Sequence, residues 1–351
     1  MSGPSTVLVT GGAGFIGSHA CAELLDHGYE LIVVDDYSNS TPQALARVER
    51  IAGRFAGAVY ELDIRDRRSL SAVFDRHSVD AVVHFAAFKS VSASVQRPVE
   101  YYDANVGGTT ALLRTMHEHG VHQLVYSSSC SVYGDAGTGP LDESTPARPT
   151  NPYAASKWTC EQILSDVCRR RPEYTVVCLR YFNPVGAHPS GLLGEDPCGV
   201  PDNLLPYVAQ VAVGRHDRLR VFGTDYPTRD GTAIRDYIHV MDLVEAHRVA
   251  LDHLADAPGM HVYNLGVGEG SSVLDVVTAF SAACGRRIPY EAAPRRPGDV
   301  AELVADARAV TRAWGWHPTR DLDAMCRDAW RFQRLNPQGY AGSARRTESE
   351  R

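Results

Sequence analysis

The stretch Thr10-Gly-Gly-Ala-Gly-Phe-Ile-Gly17 constrains this chain more than any other. An apolar run, Thr6-Val-Leu-Val-Thr10, leads straight into it and reads as a buried strand. The residues after it, Gly14 to Gly28, read as a helix with a glycine stop. Glycines fall at 11, 14 and 17. Gly11 permits a sharp turn at the strand end, Gly14 lets backbone approach a pyrophosphate, and Gly17 lets the helix pack on the sheet. The helix N-terminus then faces the anion with free N–H groups. Taken alone, the spacing also fits a plain tight turn. A strand before, a helix after and an acid about 20 residues further on make it a dinucleotide loop. That acid is Asp35, at the end of Leu31-Ile-Val-Val-Asp-Asp36. Its carboxylate accepts from ribose hydroxyls and repels a 2′-phosphate, which favours NAD over NADP.

The same alternation continues. Short apolar runs at Leu31–Val34, Val59–Glu61, Ala81–Phe85, Leu124–Ser127 and Thr175–Leu179 predict strands, and Val95–His119 and Tyr153–Arg169 predict helices between them. Strands of this kind separated by helices predict an α/β fold, a Rossmann-like doubly wound parallel sheet covered on both faces. After Asn183 the texture changes. Residues 183–203 are rich in Gly, Pro and Asp without periodicity and predict a functional loop. Helical patterns follow at Leu204–Val213, Val240–Leu254, Val273–Cys284 and Leu322–Gln333, with short strands at Leu219–Val221 and Val262–Leu265. The polar end, 341–351, predicts a disordered tail.

Composition excludes several partners. A formal charge of -7 leaves no basic footprint for nucleic acid. No stretch approaches the roughly 18 apolar residues of a membrane span, and the N-terminus lacks the pattern of a signal peptide. None of the eight cysteines forms a CxxC pair or sits with histidines at zinc-finger spacing. Reduced thiols in a cytoplasmic protein are expected, and no metal.

Only two lysines occur, Lys89 and Lys157, although lysine and arginine together number 35. Arginine substitutes readily on a solvated surface but not where a compact charge is needed, since a guanidinium is planar and forked. Lys157 lies four residues after Tyr153 in Asn151-Pro-Tyr-Ala-Ala-Ser-Lys157, so the two share one helical face. A free tyrosine is a poor base at neutral pH. An ammonium beside it, and a positive nicotinamide ring, favour the phenolate, which can then take a proton from a substrate hydroxyl. Ser127-Ser-Ser129 tips the fifth strand, with Ser129 as a candidate partner for the same oxygen. A solvated helical pair and a strand-end cap are the plainer readings, weakened by the dinucleotide loop upstream.

"TGGAGFIG", "SSSCSVYGD" and "YAASK" resemble the extended short-chain dehydrogenase/reductase family. "RYFNPVGAHPSG", "GEDPCGVPDNLLPY", "VFGTDYPTRDGTAIRDYIHVMDL" and "YNLGVGEGSSVLDVV" narrow the resemblance to its UDP-glucose 4-epimerases, from about Thr6 to Tyr340. The resemblance implies an NAD-binding domain over 1–183 with a returning segment near 236–264. It implies a smaller C-terminal α/β substrate domain over 184–235 and 265–340. It also implies Tyr153, Lys157 and Ser129 as catalytic residues acting on a UDP-hexose, with oxidation at C4, rotation of the keto sugar and reduction on its other face. NAD contacts carry over to Gly11, Gly14, Phe15, Ile16, Gly17, Asp35, Asp36, Asn39, Ser40, Asp63, Ile64, Phe85, Ala86, Lys89, Lys157 and Tyr181. The UDP-sugar side carries over to Ser129, Tyr153, Phe182, Asn183, Asn203, Leu204, Arg220, Val221, Phe222, Arg235, Arg296, Asp299 and Leu303. Arg235 and Arg296 would clamp the diphosphate, and Asp299 would hold the uridine ribose. A homodimer through Val95–His119 and Tyr153–Arg169 is implied as well.

Three positions depart from the family pattern. Asp36 adds charge beside Asp35. Ala104 replaces a frequent asparagine, so no cofactor role is assigned there. Leu303 replaces a tyrosine found in some members, which leaves more room at the sugar's C2 substituent and raises the expectation that N-acetylated UDP-hexosamines enter. Two other readings stand beside the epimerase. A nucleotide-sugar 4,6-dehydratase needs an acid–base pair just after the fifth strand, where this chain has Cys130 and Ser131. A non-catalytic NAD-binding regulator could lose Tyr153, Ser129 or Lys157, yet all three are present.

Overall fold

The computed structural model describes residues 5–55, 57–137, 139–197, 199–255, 258–296 and 298–340. Both the expected polar tail, 341–351, and Cys198 lie outside the described residues. The chain runs β1 (Thr6–Thr10), α1 (Phe15–Asp26), β2 (Glu30–Asp35), α2 (Pro42–Ala52), β3 (Gly57–Glu61), α3 (Arg67–Arg76) and β4 (Ala81–His84). It continues through α4 (Val91–Gln96), α5 (Pro98–Tyr101), a π-turn at Tyr102–Gly107, α6 (Gly108–Glu118), β5 (Gln123–Ser129), β6 (Pro140–Leu141), α7 (Pro152–Arg170) and β7 (Thr175–Tyr181). Next come β8 (Asn183–Val185), α8 (Leu204–Ala212), β9 (Leu219–Phe222), β10 (Ile234–His239), α9 (Val240–His253) and β11 (Gly259–Leu265). The last elements are β12 (Gly270–Ser272), α10 (Val273–Cys284), β13 (Tyr290–Ala293), β14 (Glu302–Ala305), α11 (Arg308–Trp314) and α12 (Leu322–Leu335).

Seven strands form one parallel sheet in the order β11-β7-β5-β4-β1-β2-β3. Its centre is apolar on both faces because helices cover both. Val7 and Val9 of β1 join one core with Leu24 and Leu25 of α1 and Ala246 and Ala250 of α9. Leu8, between them, joins the other with Leu70 of α3, Leu112 of α6 and Leu164 of α7. The strand's two-residue period thus divides the core into two layers. The connection from β1 to β2 runs to one side of the sheet and β4 lies on the other side of β1, so the strand order reverses there. Ligands of open α/β sheets bind at such a reversal, beyond the C-terminal strand ends.

A second, smaller sheet is built on β10, which pairs with β8 and β14 in parallel and with β12 antiparallel. Asp236 of β10, fully buried, accepts from the N–H groups of Val267 (2.8 Å), Gly268 (2.9 Å) and Ala305 (3.1 Å). It ties the end of β11 and the end of β14 to β10. Helices α8, α10 and α12 pack under this lobe around Val208, Phe280 and Met325.

Two expectations are corrected. The single helix expected over Val95–His119 is broken, because Pro98 has no N–H to continue the turn and Arg97 leaves helical geometry at φ -133° and ψ 58°. The chain re-enters α6 only after the π-turn. The segment 183–203 is not wholly irregular either, since it opens as β8, paired with β10 through Asn183↔Tyr237.

Candidate active site

A cavity of about 510 Å³ lies at the C-terminal ends of the strands of the large sheet. Its wall on the β1–β2 side is the glycine loop. Gly11 has φ +69°, and a Cβ there would come within 2.7 Å of the Ala86 nitrogen, so the turn after β1 admits only glycine. At Gly17 a Cβ would lie 2.1 Å from the Gly11 carbonyl oxygen, so the helix approaches the loop as closely as backbone allows. Gly14 caps α1 with no side chain, which leaves the first-turn N–H groups of Phe15, Ile16 and Gly17 facing the cavity. Asp35 ends β2 beside them. Its carboxylate accepts from Ala13 N–H (2.8 Å), Tyr37 N–H (2.9 Å) and the Ser40 hydroxyl (2.6 Å), which fixes its plane. Asp36, Asn39, Asp63, Ile64, Phe85, Ala86, Lys89 and Tyr181 line the same cavity. Arg65 beside Asp63 holds that carboxyl below the usual range. Tyr181 meets the buried His247 through its hydroxyl. These residues fit a dinucleotide: a bare helix end for the diphosphate, a fixed carboxylate for a ribose.

A second wall is built by β5 and α7. Asn151 caps α7, accepting from Ala154 N–H at 2.9 Å, and Pro152 fixes the first turn. Tyr153 and Lys157 then fall one turn apart, both facing the cavity. Ser129 ends β5. Its hydroxyl donates to Ser131 Oγ (3.0 Å) and accepts from Ser131 N–H (3.2 Å). Burial pushes the Tyr153 phenol up to about 12, with its hydrogen bond to Ser129 pulling the other way. Burial also brings the Lys157 ammonium down to about 8. Lys157 donates to the Ser127 carbonyl at 2.7 Å and sits 5.0 Å over the Tyr126 ring, rather than binding the Tyr153 hydroxyl. The phenolate was expected from the ammonium and a positive nicotinamide ring acting together, and the chain alone carries only the first of the two. Desolvation of both groups wins in the chain alone, and Tyr153 stays a phenol there.

The remaining wall comes from the smaller lobe. Phe182, Asn183, Asn203, Leu204, Arg235, Asp299 and Leu303 line it. Asn183 Oδ1 is buried with no partner among the described residues, an acceptor aimed at something the chain does not supply. Four expected contacts do not line the cavity. Val221 is 1% exposed within the lower core, because β9 alternates and its even face is Arg220. Arg220 and Arg296 instead stack on Phe222, at 5.3 and 4.8 Å. Arg296 also pairs with Asp299 at 3.1 Å, so of the two arginines expected to clamp a diphosphate Arg235 lines the cavity and Arg296 joins a rim cluster linked to it through Asp299.

Sequence reasoning missed two residues. Glu195 accepts from Lys89 (2.7 Å) and from Asn203 (3.1 Å), joining the wall formed by the large sheet to that formed by the smaller lobe. Asn105, in the π-turn, accepts from Phe88 N–H (2.8 Å) and donates to Ser156 Oγ (2.9 Å), which fixes the helix face carrying Tyr153 and Lys157. Glu195 stood inside the quoted "GEDPCGVPDN", but an acid in a Gly/Pro loop gives no signal of its partner. Asn105 gives none without the π-turn, which no periodicity predicts.

Known proteins resemble this chain along most of its length. A UDP-glucose 4-epimerase of Bacillus subtilis is 51% identical over 334 residues, 95% of this chain and 98% of that protein. The crystal structure of a UDP-glucose 4-epimerase from Bifidobacterium longum, in complex with NAD+ and UDP, superposes with a TM-score of 0.92 at 50% identity, covering 95% of this chain and 99% of that one. One from Stenotrophomonas maltophila, with bound NAD and formylated UDP-arabinopyranose, gives a TM-score of 0.93 at 46% identity, covering 95% and 99%. The profile of the NAD dependent epimerase/dehydratase family matches residues 7–266, and the chain belongs to that family.

Proposed function

We infer that this chain is an NAD-dependent isomerase that interconverts UDP-galactose and UDP-glucose at C4. The observation that carries the reading is the meeting of three things in one cavity: the bare glycine-loop helix end, the Ser129–Tyr153–Lys157 group and an unpartnered acceptor on the substrate wall. NAD, when bound, supplies the hydride acceptor and donor and a positive ring. Gly11, Gly14 and Gly17 would admit its diphosphate, and Asp35 its adenosine ribose. Tyr153 takes the proton of the sugar's 4-hydroxyl and later returns it. Its phenol, near 12 in the chain alone, becomes a usable base only when the ring's charge joins that of Lys157. Ser129, accepting from Ser131 N–H, turns its own proton from Ser131 Oγ to the same sugar oxygen. The 4-keto sugar turns about its diphosphate, held by Arg235 and the Arg296–Asp299 pair at the rim, and is reduced on its other face. No net redox change results.

We place the cofactor on the large-sheet half of the cavity and the UDP-sugar on the half formed by the smaller lobe. The dehydratase reading lacks its acid–base pair, since Cys130 and Ser131 stand after Ser129. Val91, Val95, Val99 and Tyr102 are exposed together on α4, α5 and the π-turn, at 41, 63, 75 and 41%. We propose that this apolar face pairs two copies as a homodimer, which sedimentation equilibrium would test. Among the described residues all seven cysteines are free, in keeping with a cytoplasmic enzyme. No helix among those residues is long and apolar enough to cross a membrane.

The test is a coupled assay on UDP-galactose without added NAD. Formation of UDP-glucose by protein that releases NAD on denaturation is expected. Protein that carries NAD yet leaves UDP-galactose unchanged would refute the reading.

A further inference from the structure

The connection from α6 to β5 reads His117-Glu-His-Gly-Val-His122, three histidines in six residues. Gly120 turns the chain there at φ +70°, with Gly120 N–H bonded to the His117 carbonyl (3.3 Å) and Val121 N–H to that of Met116 (2.9 Å). These paired bonds reverse the backbone over the helix end. The reversal brings His117 and His122 together, ring centroids 6.4 Å apart. His119 turns away, its Nδ1 against the Thr115 carbonyl (2.9 Å) and its Nε2 against Asp75 (3.1 Å).

Glu173 arrives from the loop between α7 and β7. That loop is fixed on three sides: Tyr174 N–H to the Arg171 carbonyl (3.0 Å), Thr175 N–H to the His122 carbonyl (3.0 Å) and Gly259 N–H to the Tyr174 carbonyl (2.8 Å). The Tyr174 ring also packs edge-on against that of His122 at 4.8 Å. One ligand atom from each of His117, His122 and Glu173 lies within 4.8 Å of the other two.

We propose that His117, His122 and Glu173 bind a divalent first-row metal ion, with zinc the best match. Two imidazoles and a carboxylate form a donor set that zinc takes at about 2.0–2.2 Å, which places tetrahedral ligands roughly 3.3 Å apart. Closing from the present separation needs only rotation of the exposed His117 and Glu173 side chains, and water completes the shell. A histidine near a helix C-terminus is favoured by the helix dipole alone, which accounts for His117 but not for the other two. Arg171, whose Nη1 lies 3.8 Å from Glu173, is the group the ion displaces. The site sits at the N-terminal ends of β5 and β7, opposite the cavity. The ion therefore takes no part in the reaction and clips the end of α6 to the loop that follows α7.

The test uses full-length protein without an affinity tag, stripped by a chelator and titrated calorimetrically with Zn²⁺. One ion per chain with micromolar affinity is expected, weakened at least about tenfold by His117→Ala, by His122→Ala and by Glu173→Gln. Without zinc, the variants should melt and turn over UDP-galactose as the parent does, which shows that they fold. Co²⁺ should give visible d–d bands that the His117→Ala/His122→Ala double variant lacks. Absence of saturable binding at one ion per chain overturns the proposal, and so does equal binding by the double variant.

Discussion

Replacing Lys157 by methionine separates what this lysine does for catalysis from what it does for folding. The ammonium is 3% exposed, and burial lowers it from 10.5 to about 8. That lowering corresponds to about 3 kcal/mol of stability withheld while the group is charged. The sign follows from proton uptake. Between pH 8 and 10.5 the unfolded chain binds the proton more readily, so stability rises with pH across that window, and the full cost is present below it. Methionine removes the cost but leaves the Ser127 carbonyl without its 2.7 Å donor, a loss of about 1–3 kcal/mol. The variant should therefore be as stable as the parent, or more stable by up to about 2 kcal/mol, at pH 7. Any advantage should fade towards pH 10. Catalysis should move the other way. A phenol near 12 is ionised in about one molecule in ten thousand at pH 8. Without the neighbouring cation, turnover of UDP-galactose should fall about 10²–10⁴-fold, the usual contribution of a positioned base. Lys157→Arg, which keeps charge but not shape, should lose nearly as much. Coupled turnover and thermal melts across pH 7–10 are the assays. Turnover within about tenfold of the parent would refute the base argument, and a marked fall in Tm at pH 7 would refute the burial argument.

Other outcomes follow from the same geometry. Glu195→Gln removes the partner of Lys89 and should speed NAD release by up to about fivefold, an ion pair at a partly exposed site contributing about 1 kcal/mol or less; rapid gel filtration of the loaded protein measures it. Because Leu303 lines the cavity, UDP-GlcNAc should turn over at more than about a thousandth of the UDP-galactose rate, and Leu303→Tyr should reduce that ratio; a lower ratio in the parent rejects the idea. Burial holds His19 and His84 down to about 3 and His247 to about 4, so the unfolded state takes up three protons that the fold refuses. Stability should fall as pH drops below about 6.5, by up to about 4 kcal/mol per pH unit for the three together. Asp236, raised by burial to about 6, offsets one of them, and denaturant melts between pH 7 and 5 would check the slope.

The large sheet was legible because its code is local. Apolar runs bounded by turns gave β1, β2, β4, β5 and β7 to within two residues at either end, and the glycine loop marked where the cavity opens. The placing of Tyr153 and Lys157 on one wall of the cavity was legible because they share one helix and Lys157 stood out against an arginine background. The break at Pro98 was readable too, yet the apolar period ran through it and hid the π-turn. What could not be read was set by contacts distant in sequence. The Lys89–Glu195 pair spans 106 residues, and the inward turn of Val221 depends on which face of β9 meets α8. The dehydration of Tyr153 and Lys157 was hidden for a related reason. Helical spacing shows that a lysine is near, but only the packed structure shows that both groups are dehydrated.

The position of β11 has a bearing on how the chain is made. It is the edge strand of the large sheet, hydrogen-bonded to β7 from Gly259↔Thr175 to Leu265↔Tyr181, yet the ribosome delivers it only after the loop, α8 and much of the smaller lobe have emerged. Until then β7, fully buried in the finished protein, presents a bare row of N–H and C=O groups to any passing strand. Nascent chains halted short of Gly259 should accordingly clump or recruit holding chaperones, whereas chains halted beyond Leu265 should resist a protease within the nucleotide half.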